Sequence, residues 1–289
     1  MIKLLRSEFI RLFKSKIFYL GNAFMFGFAL FLLIARWYDM KLVPDYTAIP
    51  DELLMTGASC IGIVIAVFIG SFIGSDYKNG TIRNKLTVGH NRISIYFSNL
   101  IVCAAASLIM HMVWIVVILI FGPVFIGKFV MSPSNIILLI FVSFFAVLVF
   151  TCVFLLTCML ISSKSVSSVT AIILSVVFLM LASAIFYKIE QPEYIDSAKS
   201  VVMDDDGNIT GVDMVREKNP QYLRGAKRKF YELLNNALPN NQIMQLGDNE
   251  MAKDEKIPSN IRYFPLYSLA LIVVTTASGV LVFRKKDLK

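Results

Sequence analysis

Residues that carry chemistry are scarce in this chain. It has two histidines and four cysteines in 289 residues. The histidines cannot share a metal, because His90 falls in a polar linker and His111 inside a long apolar run. All four cysteines, Cys60, Cys103, Cys152 and Cys158, lie in apolar segments. That excludes a disulfide framework and a metal-ligand spacing and leaves small buried hydrophobes. Charge is almost missing from the apolar runs, where only His111 is ionisable at depth. Ion-coupled carriers usually need Asp, Glu, Lys or Arg at such positions, and intramembrane hydrolysis needs paired His or carboxylates or an activated serine. A lone histidine there reads as a hydrogen-bonding partner for a neighbouring helix. A nucleotide loop is lacking too. GPVFIGKF, from Gly122 to Phe129, fits G-x-x-x-x-G-K but places Phe where the magnesium-binding Ser or Thr belongs, in a hairpin between two apolar runs. The first apolar run has the charged start of a signal peptide without an A-x-A cleavage site, so it is expected to stay in the mature protein.

What is abundant is apolar surface. Hydrophobic residues make up 57% of the chain and the mean hydropathy is +0.69, which places it among integral membrane proteins. Six runs reach the roughly 20 residues that a spanning helix needs: about 17 to 36, 55 to 75, 95 to 122, 135 to 162, 166 to 187 and 264 to 283. The expected fold is therefore all-α, with six transmembrane helices. Charge sets its orientation. If the N-terminus is inside, the inside segments hold 14 of the 28 Lys and Arg but only 3 of the 20 Asp and Glu. Most outside basic residues fall in one long loop, which the positive-inside rule does not count. Both termini are expected in the cytoplasm, and the net charge of +8 is a topology signal rather than a nucleic-acid footprint.

Residues 1–16 carry Leu4, Leu5, Phe9, Leu12 and Phe13 at helical spacing among five basic residues, the pattern of an amphipathic helix lying in the membrane interface. Residues 17–187 hold five spans and a cytoplasmic linker, 76–94. In that linker Gly80 breaks the chain, Thr81 is expected to cap a short helix, and Ile82, Leu86 and Ile93 are the apolar residues of that helix. Ahead of it, Ala58, Gly62, Ala66, Gly70 and Gly74 recur every fourth residue and form a groove for close helix packing, against a helix of this chain or of a second copy. Residues 188–262 are too long for a simple connection and read as a small exterior subdomain. In it, Val201–Met203 and Ile209–Val212 flank the turn DDDGN. Asp204, Asp206 and Asn208 resemble a calcium loop only superficially, since Ile209 stands where the sharp-turn Gly is required. A helix is expected to start at Asn219 and Pro220, with Leu223, Ala226, Phe230, Leu233, Leu234 and Ala237 on one face, and to end at Pro239. Residues 263–289 are the sixth span and a basic tail.

LLRSEFIRLFKSKIFY at the start, SDYKNGTIRNKLTVGHNRISIY between the second and third spans, ALPNNQIMQL before the last span and the terminal VFRKKDLK together resemble the permease subunits of ABC exporters of the ABC-2 type. The resemblance implies a subunit without its own ATPase activity that binds no cofactor itself. ATP and magnesium belong on partner ABC ATPase subunits, and the chain pairs with a second permease subunit, in a homo- or heterodimer, in a cell membrane of bacterial type. It also implies that the linker docks on the ATPase, which carries over to Asp76, Tyr77, Gly80, Thr81, Ile82, Arg83, Asn84 and Lys85. Members of the family export drugs, lipids, polysaccharides or antimicrobial peptides, and the long loop before the last span favours an amphipathic peptide. Two other readings are a secondary transporter centred on His111 and a non-transporting membrane sensor or assembly protein.

Overall fold

A computed structural model describes residues 1–44, 46–203, 209–247, 257 and 259–286. The chain runs as α1 (Ile2–Phe13), α2 (Lys16–Leu42), α3 (Pro50–Leu54), α4 (Thr56–Lys78), α5 (Thr81–Thr87), α6 (Arg92–Phe125), α7 (Pro133–Leu160) and α8 (Lys164–Glu190). An antiparallel hairpin, β1 (Tyr194–Met203) and β2 (Ile209–Lys218), comes after α8. Then come α9 (Gly225–Ala237), α10 (Pro239–Leu246), a 3-10 turn over Ser259–Tyr263 and α11 (Phe264–Lys285). Six of these segments are long and apolar enough to cross a membrane, and the protein is an all-α integral membrane protein carrying one small hairpin.

Burial decides which helix is central. In its most apolar stretch α4 has 67% of its residues buried, against 22% in α2 and α8 and 17% in α11. The outer helices keep their apolar faces free, as the bilayer requires, while α4 gives up its surface to neighbours. Small side chains make that possible. A Cβ added at Gly70 would lie 2.6 Å from the Cα of Ser168, and one at Gly74 would lie 2.9 Å from the Cα of Lys164, so the backbone of α8 rests directly on α4 there. Gly62 faces the Phe150 ring of α7 at 3.4 Å, and Ala58 and Ala66 are fully buried. Two other close approaches carry no periodic signal in the sequence. Gly57 lies under the Trp114 ring, and Gly279 on α11 makes room for the Tyr96 hydroxyl.

The third span is longer than its apolar run. With 34 residues at about 1.5 Å each, α6 is roughly 50 Å long and overshoots a hydrocarbon layer of about 30 Å. Its last turn contains Gly122 and Pro123, so the start of the GPVFIGKF stretch is helical.

The segment before the last span departs from expectation in three ways. The strands are ten residues each, longer than the apolar patches that mark them, because cross-strand backbone pairing continues from Tyr194↔Lys218 inward. The turn residues Asp204 to Asn208 lie outside the described residues. Asn219 and Pro220 do not start a helix. The Asn219 side chain instead donates to the Pro192 carbonyl at 3.0 Å and accepts from the Gln221 N–H at 2.9 Å, closing the base of the hairpin. The helix begins only at Gly225, and Pro239 opens α10 rather than merely ending α9, since its fixed φ and missing N–H suit a first turn. The face of α9 expected to be apolar is largely exposed, with Phe230 and Leu233 turned outward.

Candidate functional site: the linker joint

The linker is built on one glycine. Gly80 sits at φ 67°, a left-handed conformation that a side chain disfavours, and its carbonyl accepts the first bond of α5 from the Asn84 N–H at 3.0 Å. Gly80 is thus the residue that opens the helix, while Thr81 is its first residue and makes no capping bond. The two-residue turn at Asn79 and Gly80 folds α5 back against the end of α4. After α5, Gly89 (φ 94°) reverses the chain and Asn91 caps α6 by accepting from the Ser94 N–H at 2.6 Å.

Beneath α5 lies a closed square of four charges. Glu8 and Arg11 come from α1, Asp76 from the last turn of α4 and Lys85 from α5. Arg11 pairs with Glu8 at 2.6 Å and with Asp76; Lys85 pairs with Asp76 at 3.0 Å and with Glu8. Both carboxylates are about 2% exposed, so they are available to nothing outside the protein. The Arg11 guanidinium also stacks 3.8 Å over the Phe72 ring, and a longer bond of 3.4 Å reaches Asn99 on α6. Burial lowers the pKa of Lys85 below its ordinary value, opposed by the charge of Glu8; Arg11 is lowered in the same way, again with Glu8 opposing. Two cations against two anions make the square neutral, which is how ionised groups survive at this depth.

A second set of contacts holds the other flank. Arg92, the first residue of α6, donates to the carbonyls of Phe283 (3.2 Å), Arg284 (3.3 Å) and Lys286 at the end of α11, where the Phe283 carbonyl also accepts from the Lys286 N–H at 3.4 Å. Lys286 donates to the Met159 carbonyl at 3.0 Å, and the Tyr77 hydroxyl donates to that same carbonyl at 2.7 Å. The ends of α4, α7 and α11 and the start of α6 therefore meet beside α5.

This geometry divides the eight residues expected to face an ATPase. Asp76, Ile82 and Lys85 turn inward, Tyr77 is half-buried against Met159, Gly80 lies in the turn and Thr81 opens α5. Arg83 and Asn84 face outward, together with Lys78, Asn79 and Val88, the last 78% exposed. Sequence reasoning missed Glu8, Arg11 and Asn99. A signal for Glu8 was present: it lies four residues from both Leu4 and Leu12, the two buried leucines of α1, so an acid occupies the inward stripe. Only part of the apolar face of α1 meets the bundle, since Ile10 and Phe13 are about half exposed. His111, deep in α6, bonds Ser143 of α7 at 2.8 Å. Among the described residues no group of three or more His, Cys, Asp or Glu is placed to hold a metal.

Residues 4–182 match the family described as ABC-2 family transporter protein. The match takes in α1, the linker and most of the five spans before the hairpin, and excludes the hairpin, α9, α10 and α11. No curated protein matches the chain. A match over more than half its length makes this chain a member of the ABC-2 transporter family, a multi-pass permease of an ABC transporter whose family implies an ABC ATPase partner.

Proposed function

We propose that this permease is the membrane half of an ATP-driven exporter in a bacterial cell membrane, and that α5 is where its ATPase docks. The observation that carries the reading is the two-sidedness of α5. Ile82 and Lys85 anchor it inward, while Arg83, Asn84 and Val88 offer an exposed strip of a cation, an amide and an apolar residue. A push on that strip reaches α1, α4 and α6 through side chains that already touch, so work supplied by ATP binding and hydrolysis on the partner enters the bundle at this joint. The basic balance of this end supports a cytoplasmic placement, with ATP and magnesium bound on the ATPase. Two permease subunits, alike or different, work with two ATPase chains and alternate access by tilting. The cargo is an amphipathic molecule, a peptide or a drug, and protection against antimicrobial peptides is the use that fits it best.

Co-purification tests this directly. Arg83→Glu with Val88→Asp is expected to abolish recovery of the ATPase subunit while leaving the thermal transition of the permease unchanged. Undiminished recovery would remove α5 as the dock. Transport by the chain alone, in ATP-free vesicles under an ion gradient, would remove the exporter reading altogether.

A further inference from the structure

Beside the linker joint, between α1, α2, α4 and α8, is a cavity of about 650 Å³. Lys14, Lys16 and Lys164 line it, together with the hydroxyl-bearing Ser15, Ser75 and Thr81. The three lysines come from three places: the end of α1, the start of α2 and the start of α8. None has an acidic partner within 4 Å among the described residues, and the one acid at the cavity wall, Asp76, is already held by Arg11 and Lys85. The cavity therefore carries uncompensated positive charge together with hydrogen-bond donors.

Ile17 and Leu20 line both this cavity and a second space of about 420 Å³ that runs along α2 and α4. That groove is apolar throughout, with Phe24, Phe28, Val64 and Val67 among its walls. A basic, hydroxylated chamber at the end of the spans thus shares two wall residues with an apolar slot directed along them. The geometry points to a binding site for one anionic phospholipid, its phosphate held by Lys14, Lys16 and Lys164 and an acyl chain laid in the groove between α2 and α4. The assignment holds whichever side of the membrane this end faces, and it is independent of the docking of an ATPase on α5. Its consequence is local, because the headgroup would touch α1, α4 and the start of α5 at once and would brace the wall of the charge square.

The test uses the purified full chain in detergent and counts bound lipid by native mass spectrometry, with palmitoyl-oleoyl phosphatidylglycerol compared against the phosphatidylcholine of the same chains. One phosphatidylglycerol per chain is expected to be retained in preference. Replacing Lys14→Gln, Lys16→Gln and Lys164→Gln together is expected to weaken its binding roughly 100-fold at low salt, from about five-fold per near-surface lysine, while the three Lys→Arg changes preserve it. Val67→Trp, which fills the groove and leaves the charges alone, is expected to weaken retention as well. Equal retention by the glutamine triple variant overturns the site. Full retention by Val67→Trp overturns the placement of the chain, and displacement by millimolar inorganic phosphate would show a free-anion site instead of a lipid site.

Discussion

The two ends of the bundle solve the same problem with different chemistry. Where α4 turns into α5, elements are joined by Glu8, Arg11, Asp76 and Lys85, all ionised groups in mutual contact. At the opposite end the buried joints are made by amides and hydroxyls, and the ion pair of Arg224 with Glu193 is about half exposed. Asn241 donates to the Ala182 carbonyl at 3.1 Å and to Asn235 at 3.0 Å, Gln242 donates to the Asn236 carbonyl at 2.7 Å and accepts from Ser268 at 2.9 Å, and Asn260 donates to Gln245 at 2.9 Å. Together these bonds tie α8, α9, α10 and α11. There the buried acid Asp51 meets no cation among the described residues; it accepts the N–H groups of Val130 and Met131 at 2.9 and 3.0 Å. Amide bonds are directional and each has one good geometry. In the charge square each cation meets both acids, so a small slide of α5 exchanges partners instead of losing them. A joint of this kind tolerates displacement and a lattice of amides resists it.

The comparison breaks most visibly at Asp76. Asp76→Ala leaves Arg11 and Lys85 facing Glu8 alone, an uncompensated buried cation, and is expected to cost about 3–5 kcal/mol. The readout is the thermal transition of the purified chain. Adding Lys85→Met restores charge balance and is expected to recover part of the loss. If the two changes are merely additive, the square is not a unit.

α4 is the shaft between the two ends, and its contact with α8 is the next place to press. Gly70→Ala drives a methyl to 2.6 Å from the backbone of Ser168, which cannot give as a side chain would. A cost of about 1–3 kcal/mol is expected. Gly62→Ala meets only side chains, the Phe150 ring at 3.4 Å and the Ser175 hydroxyl at 3.6 Å, and is expected to be close to neutral. Equal losses from both would mean that the helices separate as a whole rather than at the tight end.

At the neutral end the same logic gives smaller numbers. Gln242→Leu leaves the Asn236 carbonyl and the Ser268 hydroxyl without their partner. The expected loss is about 0.6–2 kcal/mol, the range for polar bonds between helices in lipid. No single partner change should rescue it, in contrast to the pair at Asp76. A loss as large as that of Asp76→Ala would erase the distinction between the two ends.

The legibility of each feature depends on what its pattern measures. Six apolar runs announce six spanning helices because the bilayer imposes length and composition on each segment separately. The four-residue spacing from Ala58 to Gly74 likewise marks a packing face, since it is a property of one helix. The charge square was not legible. Glu8 and Arg11 come from one segment, Asp76 and Lys85 from two others, and an isolated basic linker looks the same whether its lysine faces water or two buried carboxylates. Asn219 misled for a related reason. Asn before Pro is a good helix start, but the same side chain serves equally well to close a hairpin, and cross-strand pairing supplied the stronger demand. Gly57 and Gly279 were invisible because the rings they accommodate, Trp114 and Tyr96, belong to a distant part of the chain.

The finest test sets two cations of one short helix against each other. Arg83 and Lys85 are two positions apart on α5, carry the same charge and read alike in the sequence. Lys85 is 10% exposed in its side chain and closes the square, whereas Arg83 is exposed and has no acid within 4 Å among the described residues. Lys85→Ala leaves two carboxylates sharing Arg11 and should destabilise the chain by several kcal/mol on the scale of a broken buried pair. Arg83→Ala should change stability by no more than about 0.5 kcal/mol, as surface substitutions do. Thermal transitions of the two variants measured side by side decide it. Were Arg83→Ala the more damaging of the two, the inward and outward faces of α5 would have to be exchanged, and with them the surface left free for a partner.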